Sequence, residues 1–106
     1  MTHDKLFGHL YRNKDLPFKV KIVEISEGDR FCYENGYHLL FEIFGKKYDV
    51  GYVTTVEDQE DWGQAESWTS EWCHCDNKPI KPQELWDLIQ NYHQELREKS
   101  ISNLLD

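Results

Sequence analysis

Lysine and arginine are absent from residues 48–77, although that stretch carries eight of the chain's twenty acidic residues. A surface of that sign repels phosphate backbones, which argues against direct nucleic-acid binding through it. Cysteine is scarce as well: three residues, an odd number, in no spacing that suggests a disulfide framework. Free thiols fit a reducing compartment. No apolar run approaches the roughly 18 residues that a bilayer span needs. The opening MTHDKLFGHLYRNKD has neither the apolar core nor the small-residue cleavage site of a signal peptide. A cytoplasmic protein with no membrane contact is therefore expected. The six glycines are isolated from one another, so there is no glycine-rich cradle for a phosphate.

What is present suffices for one core. The 106 residues are 39% hydrophobic and 14% aromatic, enough for a single globular domain, and the net charge is −8. In THDKLFGHLYRN, Leu6, Phe7, Leu10 and Tyr11 share one helical face behind a Thr2 or Asp4 cap, which puts a short helix within residues 1–16. Pro17 then starts an extended segment. FKVKIVEIS alternates Phe18, Val20 and Ile22 with Lys19 and Lys21, as a strand does. Its phase shifts at Val23 and Ile25, where a bulge or a second buried side is expected. EGDR turns the chain. Asn35-Gly36 has the composition of a type I′ turn between two β-prone runs, and such a turn would pair Glu34 with Tyr37 and Cys32 with Leu39.

Leu39, Phe41 and Ile43 alternate with Leu40 and Phe44, as in a central strand covered from both sides. After GKK, the residues Tyr48, Val50, Tyr52, Thr54 and Val56 mark the next strand, and residues 57–66 read as an acidic loop. Trp68, Ser70, Trp72 and His74 alternate along a last strand, with both tryptophans expected in the core. PQELWDLIQNYHQELREK, with Pro82 at its first position, predicts a helix over 82–99. Its buried stripe would be Leu85, Leu88, Ile89, Tyr92 and Leu96, and a tail covers 100–106. The expected fold is a single two-layer α+β domain spanning residues 1–106. An antiparallel sheet of four to five strands fills residues 18–75, with the short N-terminal and long C-terminal helices packed on it.

Few residues offer chemistry. Cys73, His74 and Cys75 raise the alternative of a small metal- or thiol-dependent enzyme. On a strand, however, the Cα atoms of Cys73 and Cys75 stand about 6.6 Å apart. Two thiolates on one zinc need sulfurs about 3.8 Å apart. No metal and no cofactor is expected. Cys32 and His38 fall on opposite faces of the predicted hairpin, the wrong arrangement for a thiolate–imidazole pair, with His38 facing Tyr33. Tyr33, Tyr37, Tyr48 and Tyr52 lack the interleaved cations of a base-stacking surface and read as packed sheet aromatics. The expectation is a protein that is not an enzyme.

Trp62 stands apart, within EDQEDWGQ. A large apolar side chain ringed by carboxylates suits an anchor for a basic partner. Glu57, Asp58, Glu60, Asp61 and Glu66 would steer that partner and Trp62 would dock it. The expected function is thus a small acidic binding or inhibitor protein for a basic partner, toxin- or nuclease-like. Immunity proteins and phage-borne anti-defence inhibitors offer an analogy of size and charge. A structural domain that forms homo-oligomers through its aromatic sheet face is the remaining alternative.

Overall fold

Thr2 starts the first helix, α1 (His3–Arg12): its hydroxyl accepts from the Lys5 amide at 3.3 Å, and Asn13 closes the helix with a left-handed φ of 49°. The computed structural model describes the backbone of residues 1–59 and 64–105 and the side chains of residues 1–57 and 66–98. Five strands follow α1: β1 (Lys21–Gly28), β2 (Cys32–Ile43), β3 (Lys46–Gln59), β4 (Gln64–Cys75) and β5 (Lys78–Pro79). They pair antiparallel in chain order, and α2 (Pro82–Leu105) completes an α+β domain. Helix α2 therefore continues through the segment that the sequence suggested was a tail, while α1 ends four residues short of the predicted boundary. Among the described residues, no helix is long and apolar enough to cross a membrane.

The turns correct one expectation. Asn35-Gly36 lies inside β2, where Gly36 pairs with Ile25 on one side and Val53 on the other. Glu34 and Cys32 accordingly face Thr55 and Glu57, and not Tyr37 and Leu39. The two-residue turns with positive φ at both central positions are Phe44-Gly45 (52° and 77°) and Asp76-Asn77 (48° and 66°). Between β1 and β2, the Asp29 carboxylate accepts from the amides of Phe31 at 2.8 Å and Cys32 at 2.9 Å. Those amides, Cys32 foremost, hold the carboxyl below its ordinary value. Gly36 serves a different purpose. A Cβ there would collide with the Tyr52 carbonyl of β3, so glycine permits a close backbone approach.

Both helices cover one face of the sheet, and only at one end. Leu6 and Leu10 of α1 and Leu85 and Ile89 of α2 join Val20, Leu39, Phe41, Ile43, Tyr48, Val50 and Cys73 in the buried core. Leu88 and Tyr92 pack against it, but Leu96 is 37% exposed, so the apolar stripe of α2 stops a turn earlier than predicted. The opposite face of the sheet has no helix. There Leu40 is half-buried, against the expectation of a strand covered twice, while Phe44 at the following turn is 62% exposed and meets Tyr92 of α2 edge to face at 4.9 Å. The pairing of β1 with β2 is unbroken from Lys21 to Gly28, so no bulge lies at Val23 or Ile25. Both side chains point to the helix-free face while Ile22 is exposed.

The sheet outruns its core. Beyond Val50, strand β3 continues nine more residues to Gln59, about 30 Å at strand rise. The longest dimension of the molecule is 72 Å against 21 and 20 Å, and the radius of gyration is 18.1 Å. A compact domain of this length would have a radius of gyration of about 13 Å.

Candidate functional site

The helix-free face has two parts. Near the core, Asp49 of β3 holds two neighbours. It accepts from Trp72 Nε1 at 2.8 Å and meets His38 Nδ1 at 3.0 and 3.2 Å. A carboxylate accepts only, so His38 Nδ1 carries a proton. The His38 and Trp72 rings lie 4.9 Å apart. Gly51, paired with Trp72, makes room for the indole, because a Cβ there would meet the Trp72 ring. His38 therefore faces Gly51 and Val23 across the strands, and not Tyr33. A cavity of about 290 Å³ adjoins this cluster, lined by Leu40, Lys47, Asp49, His74, Asp76 and Asn77 among others. Among the described residues no serine, threonine or cysteine side chain hydrogen-bonds to His38.

Farther from the helices the same face becomes acidic. Glu27 pairs with Glu34, Glu34 with Thr55, and Thr55 with Trp68. In the adjoining row Glu57 pairs with Glu66. The predicted loop over 57–66 is thus largely hairpin: β3 runs to Gln59 and β4 begins at Gln64. Glu57 and Asp58 belong to β3 and Glu66 to β4, whereas Glu60, Asp61 and Trp62 lie outside the described residues. Trp68 was expected in the core but is 47% exposed. Trp72, also expected there, is half-buried on the helix-free face. The physical reason is strand parity. Cys73 pairs with buried Val50, so the odd-numbered side chains of β4 face the helices and the even-numbered tryptophans face away.

The same parity dismantles the Cys73, His74, Cys75 set. The two cysteines face the helices and His74 faces the opposite side, so the three side chains cannot meet on one ion. Burial pushes the Cys73 thiol up to about 11, with the negative charge of Asp49 adding to the effect. Tyr48 is raised to about 12, by burial and then by its hydrogen bond with Cys75. A group held protonated by the fold stabilises it below its ordinary pKa and loses that contribution as pH rises through the folded value. For Cys73 the loss falls at alkaline pH, toward about 11. At pH 8 a thiol reagent is expected to modify exposed Cys32 readily and Cys73 at least about 100-fold more slowly than an ordinary thiol. Equal rates measured by mass spectrometry would show that Cys73 is not enclosed.

Tyr37 and Tyr52 meet each other and Tyr11 and Phe7 of α1 edge to face, at centroid distances of 5.2 to 6.1 Å. They pack, as the sequence indicated. No family model, curated protein or solved structure matches the chain.

Proposed function

We propose that this is a small acidic docking protein that binds a basic protein partner through the helix-free face of the β2–β4 arm. One observation carries the reading: Glu27 opposes Glu34, and Glu57 opposes Glu66, on a sheet surface that no helix covers. Like charges directly opposite one another destabilise a sheet by a few tenths of a kcal/mol, up to about 1. Folding gains nothing from these pairs, and a cationic partner would relieve them. Trp68, in the row with Glu34 and Thr55, supplies an exposed aromatic anchor within the same patch. Glu57 and Glu66 of the set assigned from sequence belong to this patch, while Glu60, Asp61 and Trp62 of that set lie outside the described residues. A toxin- or nuclease-like protein has the required charge, and inhibition by occupying its basic surface is the corresponding activity.

Two variants test it. With Glu27, Glu34, Glu57 and Glu66 all changed to glutamine, melting temperature is expected to hold or rise, because the repulsion is gone. Binding partners are identified from host extract with the wild type, purified, and measured against both proteins at increasing salt. Association with the wild type should slow as salt rises, since exposed charges are screened over about 8–10 Å, and should be slow at every salt for the variant. Trp68→Ala should instead speed dissociation, by about 30-fold if it is a central anchor worth about 2 kcal/mol. Equal binding by all three proteins would rule out this face as the docking surface. Self-association of the wild type in sedimentation, lost in Trp68→Ala, would favour the oligomerising alternative.

A further inference from the structure

On the opposite face of the sheet, His3 presents an unsatisfied nitrogen. It is the first residue of α1, and its side chain is only 13% exposed. Its Nε2 lies 3.1 Å from the backbone carbonyl of Trp72. A carbonyl can only accept, so Nε2 bears the hydrogen, and in the neutral ring Nδ1 bears a lone pair. That Nδ1 is the one buried side-chain nitrogen or oxygen among the described residues with no hydrogen-bond partner. It is not in apolar surroundings. Glu71 Oε2 stands 3.4 Å away and Asp4 Oδ1 3.9 Å away. A lone pair and two carboxylates converge, and all three repel unless something positive lies between them.

We propose that His3, Asp4 and Glu71 form a binding site for a first-row divalent cation such as Zn²⁺. The rival occupant is a proton on Nδ1, and distance separates the two. A charge-assisted N–H···O⁻ bond is about 2.7–2.9 Å long. Two ligand atoms at about 2.1 Å from a tetrahedral ion are about 3.4 Å apart. The Nδ1–Oε2 distance of 3.4 Å matches the second figure, and the contact lacks hydrogen-bond geometry. The three ligand atoms lie within 4.8 Å of one another, and the Asp4 side chain, 90% exposed, is free to close the remaining gap. An imidazole nitrogen in the set favours a transition metal over magnesium or calcium. The Nε2–H to carbonyl bond is the outer support that metal-bound histidines ordinarily have. The positive end of α1 opposes a cation, and two full negative charges outweigh it. Three protein ligands leave a fourth position. It opens on a cavity of about 270 Å³ lined also by Phe7, Tyr52, Thr54 and Thr69, with room for water or a small anionic ligand.

This departs from the expectation of a metal-free protein, and it involves none of the cysteines. The test is titration of chelator-treated protein with Zn²⁺ against a chromophoric competitor, and with Co²⁺ followed by absorbance. The expected result is one equivalent of either ion, with no cobalt–thiolate charge-transfer band. Glu71→Gln and Asp4→Asn should each weaken binding by at least about 10-fold, and His3→Gln by about 100-fold or more. His74→Gln should leave it unchanged. Both carboxylates are exposed enough that their amide variants should fold, so they decide the matter even if His3→Gln does not. A thiolate band, binding that survives Glu71→Gln and Asp4→Asn, or no uptake at micromolar metal would each overturn the proposal. So would a nitrogen NMR spectrum showing a proton on His3 Nδ1 after an equivalent of Zn²⁺ is added.

Discussion

Leu85→Ala is expected to lower unfolding free energy by about 2–5 kcal/mol, the range for fully buried leucines. Leu85 has no exposed surface and lies in the first turn of α2, inside the cluster that joins both helices to β2, β3 and β4. Two features put the effect in that range. The domain is small, so the cavity has few neighbouring layers that could collapse into it. The fully buried core also ends at Leu39, Val50 and Cys73, beyond which the sheet meets α1 through the half-buried Tyr37 and Tyr52 against Tyr11 and Phe7. For a domain of this size each kcal/mol shifts the melting temperature by about 4–8 °C, so a drop of at least about 8 °C should be measured by circular dichroism. Leu96→Ala, about three turns further along the same predicted stripe, should change stability by less than about 0.5 kcal/mol. A midpoint unmoved by Leu85→Ala would mean that α2 is not docked where the structure has it.

The pair marks how far periodicity could be read. Leu85 and Ile89 face the core as their spacing predicts, since a helix must bury its apolar stripe wherever a partner surface exists. Leu96 continues the spacing but not the burial. Where the sheet's covered area ends is a tertiary fact that no local pattern encodes. Strand β4 shows the same limit in another form. SWTSEWCHC alternates cleanly, so the strand was legible, but alternation does not say which face turns inward. The size of tryptophan suggested one answer, and Cys73 opposite Val50 gave the other. A clue was present in Asp49, whose carboxylate satisfies the Trp72 N–H on the helix-free face. Using it required the β3–β4 register.

The candidate sites divide along the same line. The acidic composition of residues 48–77 was visible directly, and with it the inference of a basic partner. That Glu27 and Glu34 extend the patch was not visible, because they enter it through pairing across β1 and β2. His3 and Glu71 are 68 positions apart, and each alone is an ordinary polar residue. Only the packing of α1 beside β4 brings them together.

Asn35-Gly36 is the clearest case of a sound local signal overruled, and it carries the second large effect. Gly36→Ala is expected to cost about 3 kcal/mol, because the added Cβ would meet only backbone, the Tyr52 carbonyl and the Val53 Cα of β3. Backbone in the middle of a paired sheet cannot step aside as a flexible side chain can. Relief would require β2 and β3 to separate, and with them the rows that hold Trp68 and the paired glutamates. Gly8→Ala makes the opposite prediction from the same chemistry. Gly8 lies within α1, and a Cβ there meets nothing within 4 Å. Alanine should therefore stabilise the fold by about 0.5–1 kcal/mol through helix propensity and a less disordered unfolded chain. If Asn35-Gly36 were a turn with positive φ, Gly36→Ala would cost only about 1 kcal/mol and would leave the β2–β3 amides as protected as before. Denaturant melts of the two variants, with amide exchange across β2 and β3, distinguish these outcomes. A large loss at Gly36 accompanied by faster exchange at Tyr52 and Val53 places the glycine inside the strand.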